Sequence, residues 1–174
     1  QQVAQIKTPY DEKLFKLSSE VNKTYLAFGA APARKKLAER QVAQDKLART
    51  AAPSAAAERA AFKGSGRYRT GGDLVDALAD GKVKLKDIKE SELPEKLQKM
   101  SLEERQKYIE TQKAEREKIQ KEIQELSQQR KEYIAKKRRE EAEKSDKEQA
   151  DTLDAAVIKA IRSQAEKKKF DLKP

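Results

Sequence analysis

Apolar residues recur at helical spacing along most of the chain, and the longest helical pattern is also highly charged. From Ser101 to about Lys147 the sequence contains no Gly and no Pro and is rich in Glu, Lys, Arg and Gln. These residues favour a helix because their straight side chains lose little rotamer freedom in it. Ser101 and Glu104 have the spacing of a capping box, which marks a helix start. We therefore predict one long central helix over residues 101–145, about 65 Å in length.

The large apolar residues of this helix form an incomplete seam. They are spaced mainly by threes, fours and sevens: Ile109, Ile119, Ile123, Leu126 and Tyr133. Arg116 and Arg130 interrupt the seam, whereas a two-stranded coiled coil requires apolar residues at both seam positions over several turns. We therefore expect the long helix to pack against shorter helices of the same chain rather than to form an autonomous dimer.

Shorter helices are predicted on both sides of the long one. They cover residues 9–28, 33–49, 54–63, 73–79 and 151–168. Thr8 and Pro9 begin the first of them and Gly29 ends it. Residues 82–85 alternate polar and apolar, which is a weak strand pattern. The apolar residues expected to hold the helices together are Leu14, Leu17, Val21, Ile119, Ile123, Leu126, Leu153, Val157 and Ile161.

A glycine-rich stretch, KGSGRYRTGG, marks the clearest boundary in the chain. It lacks the Lys-Ser/Thr of a phosphate-binding loop and no strand precedes it, so we interpret it as a linker. The predicted organisation is N-terminal helices in residues 1–63, a linker in 64–72, and the short, long and C-terminal helices in 73–174. The predicted fold class is all-α, an elongated helical module with one long central helix packed by shorter N- and C-terminal helices.

Composition restricts the chemistry that the chain can perform. Charged residues make up 40% and hydrophobic residues 36% of its 174 residues, which suits thin seams between helices better than a thick core. There is no Cys and no His, so the common zinc ligands and the usual near-neutral general base are absent. Asp73, Asp76 and Asp80 share a helix face, but their spacing is not that of a calcium loop, so we expect structural or capping roles. We predict no catalytic, cofactor-binding or metal-binding residues, and no membrane-spanning segment.

The formal net charge of +10 is concentrated near the N-terminus. Residues 1–72 contain 14 basic and 6 acidic residues, whereas residues 102–147 contain 14 and 12. Two basic clusters supply the candidate interaction residues, which are Arg67, Tyr68, Arg69, Lys136, Lys137, Arg138 and Arg139. The first has the basic–aromatic mixture that can stack single-stranded nucleic acid, although a solvated loop or a docked Tyr is the commoner arrangement. The second precedes three glutamates that offset its charge, so a solvated face is favoured there.

Short motifs spread over nearly the whole chain add a family resemblance. They include Thr8-Pro9-Tyr10-Asp11, Asn22-Lys23-Thr24-Tyr25, Phe28-Gly29, Asp73-Leu74-Val75-Asp76-Ala77, Leu93-Pro94 and Leu153-Asp154-Ala155-Ala156. In order and spacing they resemble the helical region that follows the von Willebrand factor type A (VWA) domain in certain bacterial proteins. The chain departs from that pattern at Lys169, where Gly is expected. The resemblance implies a C-terminal region only, because the Asp-x-Ser-x-Ser metal signature of a VWA domain is absent. It also implies a periplasmic or cell-envelope location.

Together these observations predict a non-catalytic helical scaffold or protein-interaction module. It would present a helical surface to a protein partner, or hold an attached VWA domain at a distance. The alternative is a nucleic-acid-binding module that uses the basic N-terminal excess. An enzyme is not expected, because the usual acid–base and nucleophilic residues lack candidates. The sequence names neither the partner nor the oligomeric state.

Overall fold

A computed structural model of the chain describes residues 6–69, 71–150, 157, 158, 160, 161 and 164. Its α-helices are α1 (Asp11–Lys23), α2 (Ala31–Ala51), α3 (Pro53–Gly64), α4 (Leu74–Ala79), α5 (Glu95–Gln98) and α6 (Leu102–Ala150). Two 3₁₀ turns, Leu85–Asp87 and Glu90–Glu92, precede α5. Ala27 and Asp73 form an isolated antiparallel bridge, and the described residues contain no longer strand. The prediction of an all-α fold with one long helix is confirmed.

The long helix α6 begins where the capping-box pattern predicts. The backbone N–H of Ser101 donates to the Glu104 carboxylate at 2.7 Å, and the N–H of Glu104 donates to the Ser101 hydroxyl at 3.3 Å. Each side chain therefore satisfies an N–H group that the helix itself leaves without a partner. The hydrogen bond from Ser101 also lowers the pKa of Glu104 below its ordinary value.

The described residues fall into two compact units, one within Gln1–Lys131 (unit 1) and one within Glu132–Pro174 (unit 2). Unit 1 contains α1 to α5 and the part of α6 up to Lys131. The glycine-rich stretch at residues 64–72 lies inside unit 1, with α3 before it and α4 after it. Unit 1 is therefore the part of the molecule in which a tertiary arrangement of helices can be described.

The first apolar cluster of unit 1 joins α1 and α3 to the middle of α6. Its buried residues are Leu14, Leu17, Val21, Ala57, Ala60 and Ile123, with Ile119 and Leu126 packed at its edge. Alanine on α3 allows close approach, and Gly64 continues that contact: a Cβ there would lie 2.5 Å from Ile123 Cγ2. The cluster confirms the predicted packing of α6 against shorter helices of its own chain.

The second apolar cluster surrounds α4 and the start of α6. Its buried residues are Leu26, Leu74, Val75, Leu85, Leu93, Leu97 and Ile109. Most of them come from short elements and turns, so this part of unit 1 is held by long-range burial rather than by helix propensity. The cluster places the acidic N-terminus of α4 directly against α6.

The first helix differs from its prediction at both ends. It begins at Asp11 rather than Pro9, since residues 9 and 10 form a turn, and the Asp11 carboxylate accepts hydrogen bonds from the N–H and the hydroxyl of Thr8, at 2.9 and 2.7 Å. It ends at Lys23 rather than Phe28, because the backbone then turns to pair with Asp73, whose carboxylate accepts the Leu26 N–H at 2.7 Å. Gly29, predicted as the helix stop, instead adopts a φ of +102° in the following loop.

Two further predictions are wrong for described residues. Residues 82–85 form no strand, because Gly81 turns the chain with a φ of +68° and Leu85 opens a 3₁₀ turn. Val157 and Ile161 are helical but exposed, so they are not seam residues. Leu153 and most of the predicted C-terminal helix lie outside the described residues.

Candidate interaction surface and the buried ion pairs that frame it

Arg116, which interrupts the apolar seam of α6, is a buried ion-pair residue. Only 4% of it is exposed. Its guanidinium donates to the carboxylates of Asp73 and Asp76, at 2.5 and 2.9 Å, and its Nε and Nη2 donate to the hydroxyl and carbonyl of Thr24, at 2.9 and 2.7 Å. It also lies 4.5 Å from the centre of the Tyr25 ring. This single side chain joins α6 to the end of α1 and the start of α4.

A second buried network joins α2 to α1 and α3, with Lys63 at its centre. The Lys63 ammonium donates to three acceptors, which are the carboxylate of Asp45 at 2.6 Å, the side-chain carbonyl of Asn22 at 2.8 Å and the backbone carbonyl of Ser18 at 3.3 Å. Burial lowers the pKa of Lys63 to about 8, even though the Asp45 carboxylate opposes that shift. The ammonium is therefore still the main form at neutral pH.

Asp45 is the only acidic residue on α2 that faces this network. Arg59 of α3 donates to its second oxygen at 2.5 Å and to Gln44 at 2.8 Å. Burial alone would raise the pKa of Asp45, but hydrogen bonds from Lys63 and Arg59 outweigh burial and lower it. Among the described residues of the two apolar clusters, none belongs to α2. Polar contacts therefore account for much of the attachment of α2.

A third network joins α6 to the N-terminus of α1. Arg130 donates to Asp11 at 2.8 Å and to Glu58 of α3 at 2.6 Å. Burial alone would raise the pKa of Asp11, but hydrogen bonds from Thr8 and Arg130 outweigh burial and lower it. Arg130, like Arg116, interrupts the apolar seam because it is a buried partner of an acidic side chain.

Two glutamines of α6 complete the contact with α3. Gln120 donates to the Lys63 carbonyl at 3.0 Å and Gln124 donates to the Gly64 carbonyl at 2.6 Å. The last carbonyl groups of a helix have no partner within that helix. Here the side-chain amides of a neighbouring helix satisfy them.

An open groove of about 790 Å³ lies between α1 and α2; we call it the α1–α2 groove. It is lined by Phe15, Ser19, Asn22, Lys23, Val42, Asp45, Lys46, Arg49 and Thr50. Val42 is 62% exposed, and the Arg49 guanidinium lies 4.2 Å from the centre of the Phe15 ring. The groove thus combines apolar surface with basic side chains at its rim.

The predicted interaction residues at 67–69 differ in their surroundings. Tyr68 packs edge-on against Tyr25 and Phe62, and its hydroxyl donates to Gln41. Its ring therefore docks on neighbouring side chains. Arg67 is exposed, whereas Arg69 is paired with Asp76 at 3.3 Å and Asp80 at 3.5 Å. The three residues do not form a flat basic–aromatic platform.

The predicted cluster Lys136, Lys137, Arg138 and Arg139 lies on the part of α6 in unit 2. Lys136, Arg138 and Arg139 are exposed. Lys137 forms an ion pair with Glu140 at 2.8 Å. The structure therefore assigns the two predicted clusters to different units.

The aspartates at 73, 76 and 80 have structural partners. The Asp73 carboxylate caps α4 by accepting the backbone N–H of Asp76. The carboxylates of Asp73 and Asp76 both form ion pairs with Arg116. Asp80 pairs with Lys82 and Arg69. Among the residues that the structure describes, no group of three or more acidic side chains is arranged to hold a metal ion. Nor does any helix in that part of the chain have the length and apolar character to cross a membrane.

The Asp45–Arg59–Lys63 network is absent from the functional and structural residues predicted from the sequence. Asp45 lies 14 positions before Arg59 and 18 before Lys63, on a different helix, and no local motif connects it to them. One signal was present: Arg59 and Lys63 are four residues apart on an alanine-rich helix and therefore share a face. A charged pair on a face that is otherwise alanine indicates buried partners.

Comparison with protein-family models, curated proteins and solved structures found no match for this chain. The relation to VWA-associated regions therefore stays a prediction that rests on the motifs given above.

Proposed function

We propose that the chain is a non-catalytic helical scaffold or protein-interaction module. The observation that supports this proposal most directly is the use of its buried charges. Asp11, Asp45, Asp73 and Asp76 are each paired with an arginine or lysine of another element. Such pairs fix the arrangement of helices, whereas acid–base catalysis requires a titratable group directed at a substrate site.

The paired charges favour a defined helical frame over a loose bundle. Breaking a buried ion pair leaves an uncompensated charge in the interior, so each pair disfavours alternative packings of the same helices. The described residues of unit 1 form three such networks, and together they involve α1, α2, α3, α4 and α6. A frame of this kind suits the presentation of a fixed surface to another protein.

The proposed context is a position after a VWA domain in a bacterial envelope protein. The motifs described under Sequence analysis support it, with Asp73 and Asp76 among them. In this proposal the VWA domain carries its own ligand, and the helical module positions that domain or recruits a further protein.

Site-specific photo-crosslinking in cells that produce the full-length protein tests the proposal. A photoreactive residue would replace exposed side chains of unit 1 one at a time, including Lys36 on α2 and Lys118 on α6. We expect a discrete protein adduct from a contiguous subset of positions. We also expect the adduct to be lost in an Arg116→Met background, in which the frame is weakened. Absence of any protein adduct, or adducts equal in both backgrounds, would overturn the proposal.

A nucleic-acid-binding module is the second candidate, and exposed basic side chains of α2 favour it. Lys35, Lys36 and Arg40 are exposed on that helix. Nucleic-acid binding requires affinity that falls steeply with salt, because each neutralised phosphate releases counterions. A filter-binding titration of single- and double-stranded DNA and RNA at low salt tests this. Absence of salt-dependent retention would remove the candidate.

A further inference from the structure

We propose that the α1–α2 groove binds an acidic amphipathic helix of a partner protein. This inference rests on the proposed function, since it names the surface and the class of partner for an interaction module. The shape of the groove, its apolar surface and its charge support this partner.

The shape and apolar surface suit a helical segment with one or two large apolar side chains. The groove runs between two helices and has a volume of about 790 Å³. Phe15 is half-buried in its wall, and Val42 projects from α2 with most of its surface exposed. Amphipathic helices bind in this way, with apolar residues at helical spacing in a groove between helices.

The charge of the groove selects an acidic partner. Lys23, Lys46 and Arg49 lie along its rim. Lys23 and Arg49 form exposed ion pairs with Glu20 and Glu12, at 2.7 and 3.5 Å, and exposed pairs of this kind are weak. Asp45 is the single acidic residue in the lining, and Lys63 and Arg59 neutralise it from the interior. The balance of charge around the groove is positive, so Asp and Glu on either side of the apolar anchors provide electrostatic complementarity.

The same residues favour a peptide over a nucleic acid. Stacking of unpaired bases requires aromatic faces that are open to them. Arg49 already lies over the Phe15 ring, and the Tyr68 ring packs against Tyr25 and Phe62. A second copy of the chain is also a poor occupant on charge grounds, because the chain carries a net charge of +10.

Fluorescence polarisation with designed peptides tests the inference on the full chain. The probe is a labelled helix of about four turns, with leucines along one face and glutamates beside them. We expect saturable binding of this probe. A peptide with lysine in place of each glutamate, and one with serine in place of each leucine, should bind at least about tenfold more weakly, a difference of about 1.4 kcal/mol.

Three variants locate the binding surface. Val42→Glu and Arg49→Glu should each weaken binding of the acidic probe by about tenfold or more, because one adds charge to the apolar surface and the other reverses charge at the rim. Leu47→Glu is the matched control: Leu47 is 71% exposed on the same helix and does not line the groove, so this variant should bind as the wild type does. Circular dichroism must show equal helicity for all three.

Several results would overturn the inference. These are failure of the acidic probe to bind, equal binding of the lysine peptide, no effect of either groove variant, or displacement of the probe by single-stranded DNA bound in the groove. If photo-crosslinking still captures a protein from another face of unit 1, the groove inference fails while the proposed function stands. If no face captures a protein, the proposed function fails as well.

Discussion

Replacement of Arg116 by methionine should remove a large part of the stability of unit 1. Methionine keeps an unbranched side chain but has no charge, so the substitution leaves the Asp73 and Asp76 carboxylates without the guanidinium that faces them. Asp73 is completely buried, and Asp76 is nearly so. The Thr24 carbonyl loses its donor as well.

The expected loss of unfolding free energy follows from the burial of Asp73 and Asp76 and from the contacts that these carboxylates keep. Removal of one partner of a buried ion pair costs about 3–5 kcal/mol, because the remaining charge has no compensation. Asp76 keeps a contact of 3.3 Å with the half-exposed Arg69, which limits the loss at that carboxylate. We therefore expect Arg116→Met to lower the free energy of unfolding by about 3–4 kcal/mol. This is a substantial fraction of the roughly 5–15 kcal/mol by which domains are stable.

Urea denaturation followed by circular dichroism measures the change. With a slope of about 2 kcal/mol/M, a loss of this size lowers the unfolding midpoint by about 1.5–2 M. Lys118→Met is the matched control, because Lys118 is exposed two residues further along α6. It should change the unfolding free energy by less than about 0.5 kcal/mol.

A double-mutant cycle identifies the cause of the loss. In an Asp76→Asn background one of the two carboxylates that face Arg116 carries no charge, so Arg116→Met should cost about 0.5–3 kcal/mol less than in the wild type. Equal costs in both backgrounds, or an Arg116→Met midpoint no lower than that of Lys118→Met, would refute the reasoning.

Three more changes have defined outcomes. Gly64→Ala should lose about 1–3 kcal/mol of unfolding free energy, measured by urea denaturation, because the new Cβ would lie 2.5 Å from Ile123 Cγ2. The pKa of Asp45 is lowered by folding, so its stabilisation is complete above the ordinary carboxyl pKa and is lost as the pH falls below about 4. The urea midpoint should therefore fall in acid, and less steeply in Asp45→Asn. Ser101→Ala should cost about 1 kcal/mol in thermal unfolding, through loss of the α6 cap.

Each of these predictions has an internal control. Gly71→Ala places its Cβ in open space and should be nearly neutral, so an equal loss at Gly64 and Gly71 would contradict the packing argument. An identical pH profile for wild type and Asp45→Asn would show that Asp45 is not a source of the acid sensitivity. Thr111→Ala, an exposed substitution on α6, should leave the melting temperature nearly unchanged, in contrast to Ser101→Ala.

The helices could be predicted from the sequence because they depend on local rules. The capping residues Ser101 and Glu104 and the apolar spacing of Ile119 and Ile123 each act within one or two turns. The end of α1 could not be predicted in the same way. Its helical pattern continues to Phe28, and the backbone leaves the helix because Asp73, a distant residue in the sequence, accepts the Leu26 N–H.

The role of the two seam arginines illustrates the same limit. Sequence periodicity indicates that Arg116 and Arg130 occupy positions where apolar residues are expected, and that a coiled coil is disfavoured. It does not indicate that acidic partners at Asp73 and Asp11 meet them, because 43 and 119 residues separate the pairs. The position of Tyr68 has the same origin, because its ring packs on Tyr25 and Phe62, and no local pattern around Arg67 and Arg69 indicates these contacts.

The polar attachment of α2 has a consequence for hydrogen exchange. Helices that share an apolar core exchange their amide protons mainly when the whole unit unfolds, whereas an element outside the core can open by itself at a lower free energy. Because no residue of α2 belongs to either apolar cluster, its departure leaves both clusters in place, and water solvates the Asp45 and Lys63 charges that it releases. We therefore expect the amides of α2 to lose protection before those of α1 and α3, which identifies α2 as a separate cooperative segment within unit 1.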